Sequence, residues 1–212
     1  MVSPRTALAA GAAAAAGAAL LLSGGLHGSA VVALMLVLVA RAAPAAATAE
    51  PAAAQWALAR TVSTVPVWVA AVLTGVVRAG SPALADVRGA NAVAGLALAR
   101  GETLVVAGCW LAALASLLAL ALPLRTGLLV SSSPLDRLEA IALFLQAVLV
   151  VTLFAGPQIN GARDVVPWTA GAVVASLALA FGARRALPYR TPAVAGVVAT
   201  IGLVLAAIGA RS

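Results

Sequence analysis

Charge is what this sequence has least of. Only 9% of its 212 residues are charged, 64% are apolar, and the mean hydropathy is +1.12. A soluble domain of this length is about half apolar and about a quarter charged. So few polar groups cannot cover a water-facing surface. A soluble enzyme is excluded, and the solvent around most of the chain must be lipid.

Lysine is absent altogether. All 13 basic residues are arginine, and with the abundant alanine this marks a GC-rich coding sequence. Against six acids the net charge is +7, which in a soluble domain would point to nucleic acid. Here Arg60, Arg78, Arg100, Arg125, Arg184, Arg185 and Arg190 sit at the ends of apolar runs and form no stripe with aromatics. Snorkelling at the interface and the positive-inside bias account for them, so no nucleic-acid partner is expected.

Reactive groups are scarce too. His27 is the sole histidine and Cys109 the sole cysteine. An internal disulfide, a bis-histidine haem site and an autonomous zinc site are therefore excluded. Cys109, in the run Val-Val-Ala-Gly-Cys-Trp, reads as a small packed hydrophobe, and His27, in Gly-Gly-Leu-His-Gly-Ser, as a solvated loop residue. There is no His-Glu-x-x-His pair, no Gly-x-Ser-x-Gly elbow and no phosphate-cradling loop ending in lysine. No cofactor is expected.

What is present is a series of continuous alanine- and leucine-rich runs. A bilayer core needs about 20 apolar residues per helix, and only helices or closed barrels satisfy the backbone there. The runs do not alternate, so they read as helices. The expected fold is all-α: one polytopic bundle of seven spans near 7–23, 29–47, 57–77, 103–123, 138–156, 166–183 and 191–210. Ser133-Pro134-Leu135-Asp136 and Thr191-Pro192 carry helix-start signals. Pro66 should kink or break the third span, with the Ser63 or Thr64 hydroxyl serving the freed carbonyls. Arg41 and Pro44 interrupt the second span. Met-Val-Ser-Pro-Arg before an alanine-leucine stretch fits a signal peptide; because more hydrophobic helices follow, an uncleaved first helix is the expectation.

Arginine placement sets the expected orientation. With the amino terminus inside, Arg5, Arg41, Arg60, Arg125, Arg137, Arg184, Arg185 and Arg190 fall inside, and Arg78, Arg88, Arg100, Arg163 and Arg211 outside. Residues 183–190 should be cytoplasmic. The three arginines between 78 and 100 run against the bias, so that stretch is expected to be re-entrant or to lie along the interface.

The acids Glu50, Asp86, Glu102, Asp136, Glu139 and Asp164 all fall near predicted helix ends, and none sits at the centre of a span. That excludes an autonomous proton pump or ion-coupled carrier. Asp136-Arg137, Arg163-Asp164 and Arg100 with Glu102 read as local pairs. Glu139 lies a turn inside the fifth span, where an ionisable group is a functional candidate by default; in a first turn it also complements the helix dipole. Glu139, Asp136, Glu102 and Asp86 are the candidates for a proton or ion path or an interface.

Residues 55–87, from Gln55-Trp56 through Pro66 to Ala79-Gly80-Ser81 and Val87, resemble a segment of the subunit 1 family of respiratory complex I and membrane-bound hydrogenases. In that family a "serine-tyrosine-glutamate-x-proline" helix runs into an "alanine-glycine-serine-leucine" turn. Leu138-Glu139-Ala140-Ile141-Ala142 through Gly156-Pro157 is similar to its penultimate region. Ala-Arg-Arg-Ala-Leu-Pro-Tyr-Arg-Thr-Pro resembles the entry to its last helix. The resemblance spans about 55–212 and implies an oxidoreductase complex coupled to proton translocation. Thr64 stands where the family keeps glutamate, and the acidic quinone-chamber loop and the arginine-glycine-proline signature are missing. The resemblance thus implies a stripped relative, with a quinone as a partner only through the family.

The expected function is a non-catalytic membrane subunit or anchor of a larger complex, in contact with lipid and other membrane subunits. The expected location is a bacterial plasma membrane. The alternative is a small transporter whose path is lined by Thr61, Ser63, Thr64 and Ser116.

Overall fold

The computed structural model describes residues 3–23, 27–48, 51–92, 103–121, 133–154 and 191–211, with isolated positions at 170 and 174. Seven helices carry them: α1 (Pro4–Leu22), α2 (Ala30–Ala47), α3 (Pro51–Ala79), α4 (Leu84–Ala92), α5 (Thr103–Ala121), α6 (Pro134–Phe154) and α7 (Thr191–Gly209). The fold is an all-α bundle. Among the described residues the only β feature is an isolated antiparallel bridge between Ser29 and Ala83. Five helices are long and apolar enough to cross a membrane, and the Ala193–Gly209 stretch of α7 is apolar but shorter. The spans expected at 7–23, 29–47, 57–77, 103–123, 138–156 and 191–210 fall on α1, α2, α3, α5, α6 and α7. Apart from positions 170 and 174, the span at 166–183 lies outside the described residues, as does the arginine cluster before α7.

Local chemistry sets the helix starts. Ser3, before Pro4, accepts from the Thr6 N–H at 3.2 Å, and Ser29 accepts from the Val31 N–H at 3.2 Å. Ser133 accepts from the Asp136 N–H at 3.2 Å while its hydroxyl donates to Asp136 Oδ2 at 2.6 Å. Each satisfies an N–H that the helix leaves without a partner.

Both interior prolines are absorbed without ending their helices. The expected break at Pro66 does not occur: α3 is continuous for 29 residues. The Thr64 hydroxyl donates to the Thr61 carbonyl at 2.8 Å, one residue before the Val62 carbonyl that the proline leaves without its i+4 donor. Pro44 likewise sits inside α2, and Thr48 donates to the Pro44 carbonyl at 2.9 Å.

Side-chain size then sorts the surfaces. Along α7 the buried positions are Ala195, Ala199, Gly202, Ala206 and Gly209, spaced 4-3-4-3, and the exposed face carries Val194, Val197, Ile201, Val204 and Ile208. Lipid tails are as apolar as these side chains, so hydrophobicity gives helices no reason to associate, and close packing of small residues takes over. α7 lies antiparallel on α5. A Cβ at Gly108 would collide with the Gly202 carbonyl oxygen and stand 2.8 Å from the Ala206 nitrogen; one at Gly209 would stand 2.9 Å from Val105. α1 and α2 pair in the same way through Ala7, Gly11, Ala14 and Ala18, with Gly11 against Ala43.

Close contacts fix which helix ends share a face. Gly11 meets Ala43 and Leu138, so the start of α1, the end of α2 and the start of α6 lie together. The end of α3 lies by the start of α2, where the Ala30 N–H donates to the Pro82 carbonyl at 2.8 Å. Leu153, at the end of α6, lies over Gly75 beside Val87 of α4. α6 therefore runs antiparallel to α2 and parallel to α3. The face of the α1 and α6 starts holds Arg5 and Arg137, and the opposite face holds Arg78 and Arg88.

Of the stretch at 78–100 expected to be re-entrant or interfacial, the described part is the end of α3, a bend at 80–83 and α4, and residues 93–100 lie outside the described residues. Gly80 turns the chain at φ +66, with nothing within 4 Å of a Cβ placed there, so backbone conformation rather than space requires glycine. Arg78 and Arg88 serve as helix caps. The half-buried Arg88 guanidinium donates to the Leu22 carbonyl at the end of α1, and Arg78 donates to the Ala90 carbonyl near the end of α4 at 2.8 Å. A cation at a helix C-terminus meets both the orphan carbonyls and the negative end of the dipole. Burial pushes the Arg88 guanidinium below its ordinary value, and an arginine so placed remains charged.

Candidate functional site

Of the sequence-derived candidates, Glu139 is the one the fold sets deepest. It lies five residues into α6, about 8 Å along the helix from Pro134 at a 1.5 Å rise. Its Oε1 stands 3.8 Å from Arg41 Nη2, and the two side chains are 14% and 4% exposed. Arg41 is therefore a buried partner, about 9 Å inside the end of α2 by the same rise, and not an interruption of that helix. Burying a charge in the bilayer is tolerated when an opposite charge accompanies it. The pair also joins α2 to α6 near the face where α6 begins.

Asp136 is half-buried and bound to Ser133, so it completes the α6 cap. Asp86 is exposed in the first turn of α4, where a carboxylate complements the dipole. Glu102 lies outside the described residues. Among the three described acids, Glu139 is the one set against a buried arginine of another helix. No group of three or more metal-ligating side chains comes together among the described residues. Cys109 is buried beside the Arg78 guanidinium.

Three of the four hydroxyls expected to line a transport path, those of Thr61, Thr64 and Ser116, turn back on their own helices. Thr61 donates to the Ala57 carbonyl at 3.0 Å and Thr64 to Thr61. Ser116 donates to Ala112 at 2.8 Å, and Thr74 and Thr152 do the same to Ala70 and Val148. Each is a local i−3 or i−4 bond that hides the hydroxyl from the apolar interior.

Two buried polar side chains carry a different signal. Gln146 is 2% exposed and Trp68 is fully buried, and neither Gln146 Oε1 nor Trp68 Nε1 has a hydrogen-bond partner among the described residues. Gln146 follows Glu139 by seven residues and so shares its face of α6. A search for charge overlooks both residues. An amide in the middle of an apolar helix, at a heptad step from an acid, is the signal that would have found Gln146.

No family model matches the chain, and neither a curated protein nor a solved structure matches it.

Proposed function

We propose that this chain is a non-catalytic subunit or anchor of a larger membrane complex in a bacterial plasma membrane. The observation that carries the reading is the use of its polar groups. Arg41 accompanies Glu139, the span hydroxyls bond their own helices, and Asp136 caps α6. Proton or electron transfer across a bilayer needs ionisable groups or cofactor ligands at depth, and in this reading neighbouring subunits supply them. The rows of large apolar side chains on α2, α3 and α7 face lipid or the helices of those neighbours. The resemblance to the complex I and membrane-hydrogenase subunit fits a stripped relative retained for its framework, with no quinone chemistry of its own.

Gentle extraction of a tagged chain tests this. The subunit reading predicts stoichiometric partner chains, whereas a chain that comes out alone or as a homo-oligomer favours the transporter alternative. Within an isolated complex, Glu139→Gln should leave turnover within about tenfold, roughly 1.4 kcal/mol in a barrier, and deleting the chain should lower the amount of assembled complex. A fully assembled complex that loses nearly all activity on Glu139→Gln would sink the reading and revive a proton path through α6.

A further inference from the structure

We propose that Trp68 and Gln146 form a buried site near mid-membrane depth for one hydroxyl-bearing molecule, in the simplest case a single water, which accepts from Trp68 Nε1–H and donates to Gln146 Oε1. Leu153 lies over Gly75, its Cβ 3.9 Å from the position a Gly75 Cβ would take, and α3 and α6 run parallel. Stepping back seven residues on each helix returns to the same face, about 10 Å lower on both at a 1.5 Å rise. That step leads from Gly75 to Trp68 on α3 and from Leu153 to Gln146 on α6. By this register the indole and the amide fall in one layer, on the faces of α3 and α6 that carry Gly75 and Leu153.

Trp68 is fully buried and Gln146 is 2% exposed. The indole N–H can only donate and the amide oxygen can only accept, yet they do not bond to each other or to any other group among the described residues. A buried polar atom without a partner is costly in water-free surroundings, and two complementary ones in one layer call for a molecule that accepts from one and donates to the other. A hydroxyl does both. A carbonyl could serve only the indole and an ammonium only the amide. Thr64, one turn from Trp68 on α3, does not fill the role, because its hydroxyl donates to the Thr61 carbonyl.

The test uses the full chain in lipid nanodiscs and the indole N–H resonances of its tryptophans. Loss of one resonance in Trp68→Phe assigns Trp68. A dipolar cross-peak from the Trp68 indole proton to the water resonance, absent in Gln146→Leu, is the expected result. A cross-peak to a non-protein hydroxyl other than water would keep the site and assign it to a lipid-borne alcohol. Should Gln146→Leu fail to fold, the cross-peak in the unmodified chain still decides the matter, with Gln146→Asn as the milder variant expected to weaken it. A cross-peak to Gln146 alone, with no third molecule, or no cross-peak to any hydroxyl, would overturn the proposal.

Discussion

The α5–α7 and α2–α6 pairs both run antiparallel, and they are joined by opposite means. Between α5 and α7 the contact is close and made largely by small residues: Gly108 and Gly202 bring the backbones together, and Ala112 and Ala206 fill the seam. Between α2 and α6 the contact includes the guanidinium of Arg41 and the carboxylate of Glu139. The first joint depends on the absence of a methyl group and the second on the presence of a charge. In lipid, where burying apolar surface does not draw helices together, these are two of the means left for fixing one helix against another. They should fail in different ways, which makes the contrast testable.

The largest effect is expected at the charged joint. Arg41→Met leaves the Glu139 carboxylate without its ion-pair partner and should cost about 3 kcal/mol, the low end for breaking a buried pair, since the Glu139 side chain keeps 14% exposure. Arg41→Met combined with Glu139→Met should recover most of that loss, because replacing both partners with apolar groups is often neutral. Unfolding of the purified chain in mixed micelles, followed by circular dichroism, reads both. A double variant no more stable than Arg41→Met alone would deny that Glu139 is the partner that matters.

The close joint comes next. Gly108→Ala should cost about 2 kcal/mol, the range for overpacking a tight interior, because the atoms it meets are Gly202 and Ala206 backbone and cannot turn aside. Cysteines at Leu104 and Ala210, cross-linked with a short bifunctional reagent, should report looser α5–α7 pairing in the same variant. A smaller loss, about 1 kcal/mol, is expected for Ser133→Ala, which removes the cap shared with Asp136. Gly196→Ala sharpens the comparison from the other end. It lies in the same helix as Gly202, but nothing stands within 4 Å of its Cβ position, so the same change should stay within about 0.5 kcal/mol of the starting stability. Equal losses at Gly108 and Gly196 would mean that the close approach does not govern the α5–α7 joint, since the higher helix propensity of alanine favours both variants.

These two joints also show where reading the sequence succeeds and where it stops. Continuous apolar runs place the spans, because the bilayer demands a length and the backbone demands a helix. Ser133-Pro134-Leu135-Asp136 marks the start of α6 because capping is local chemistry. Pairing between helices is not local. Arg41 reads as a break in an apolar run until the fold sets it beside Glu139. Thr61, Thr64 and Ser116 read as a polar lining until their hydroxyls prove to be spent on carbonyls a turn away. The 4-3-4-3 spacing of Ala195, Ala199, Gly202, Ala206 and Gly209 is legible in the sequence, but its partner on α5 is not. Gln146 goes unremarked in a search for charge because an amide carries none. Its burial in an apolar core is what makes it count.

The account rests on a bundle with two opposite faces, and labelling single cysteines in intact cells tests that most directly. In a Cys109→Ala background, Ser3→Cys and Ser133→Cys sit on the face where α1 and α6 begin, and Gly89→Cys and Arg211→Cys sit on the other. A membrane-impermeant maleimide should label Gly89→Cys and Arg211→Cys from outside and reach Ser3→Cys and Ser133→Cys only after the cells are opened. Labelling of Ser133→Cys and Gly89→Cys from the same side would contradict it.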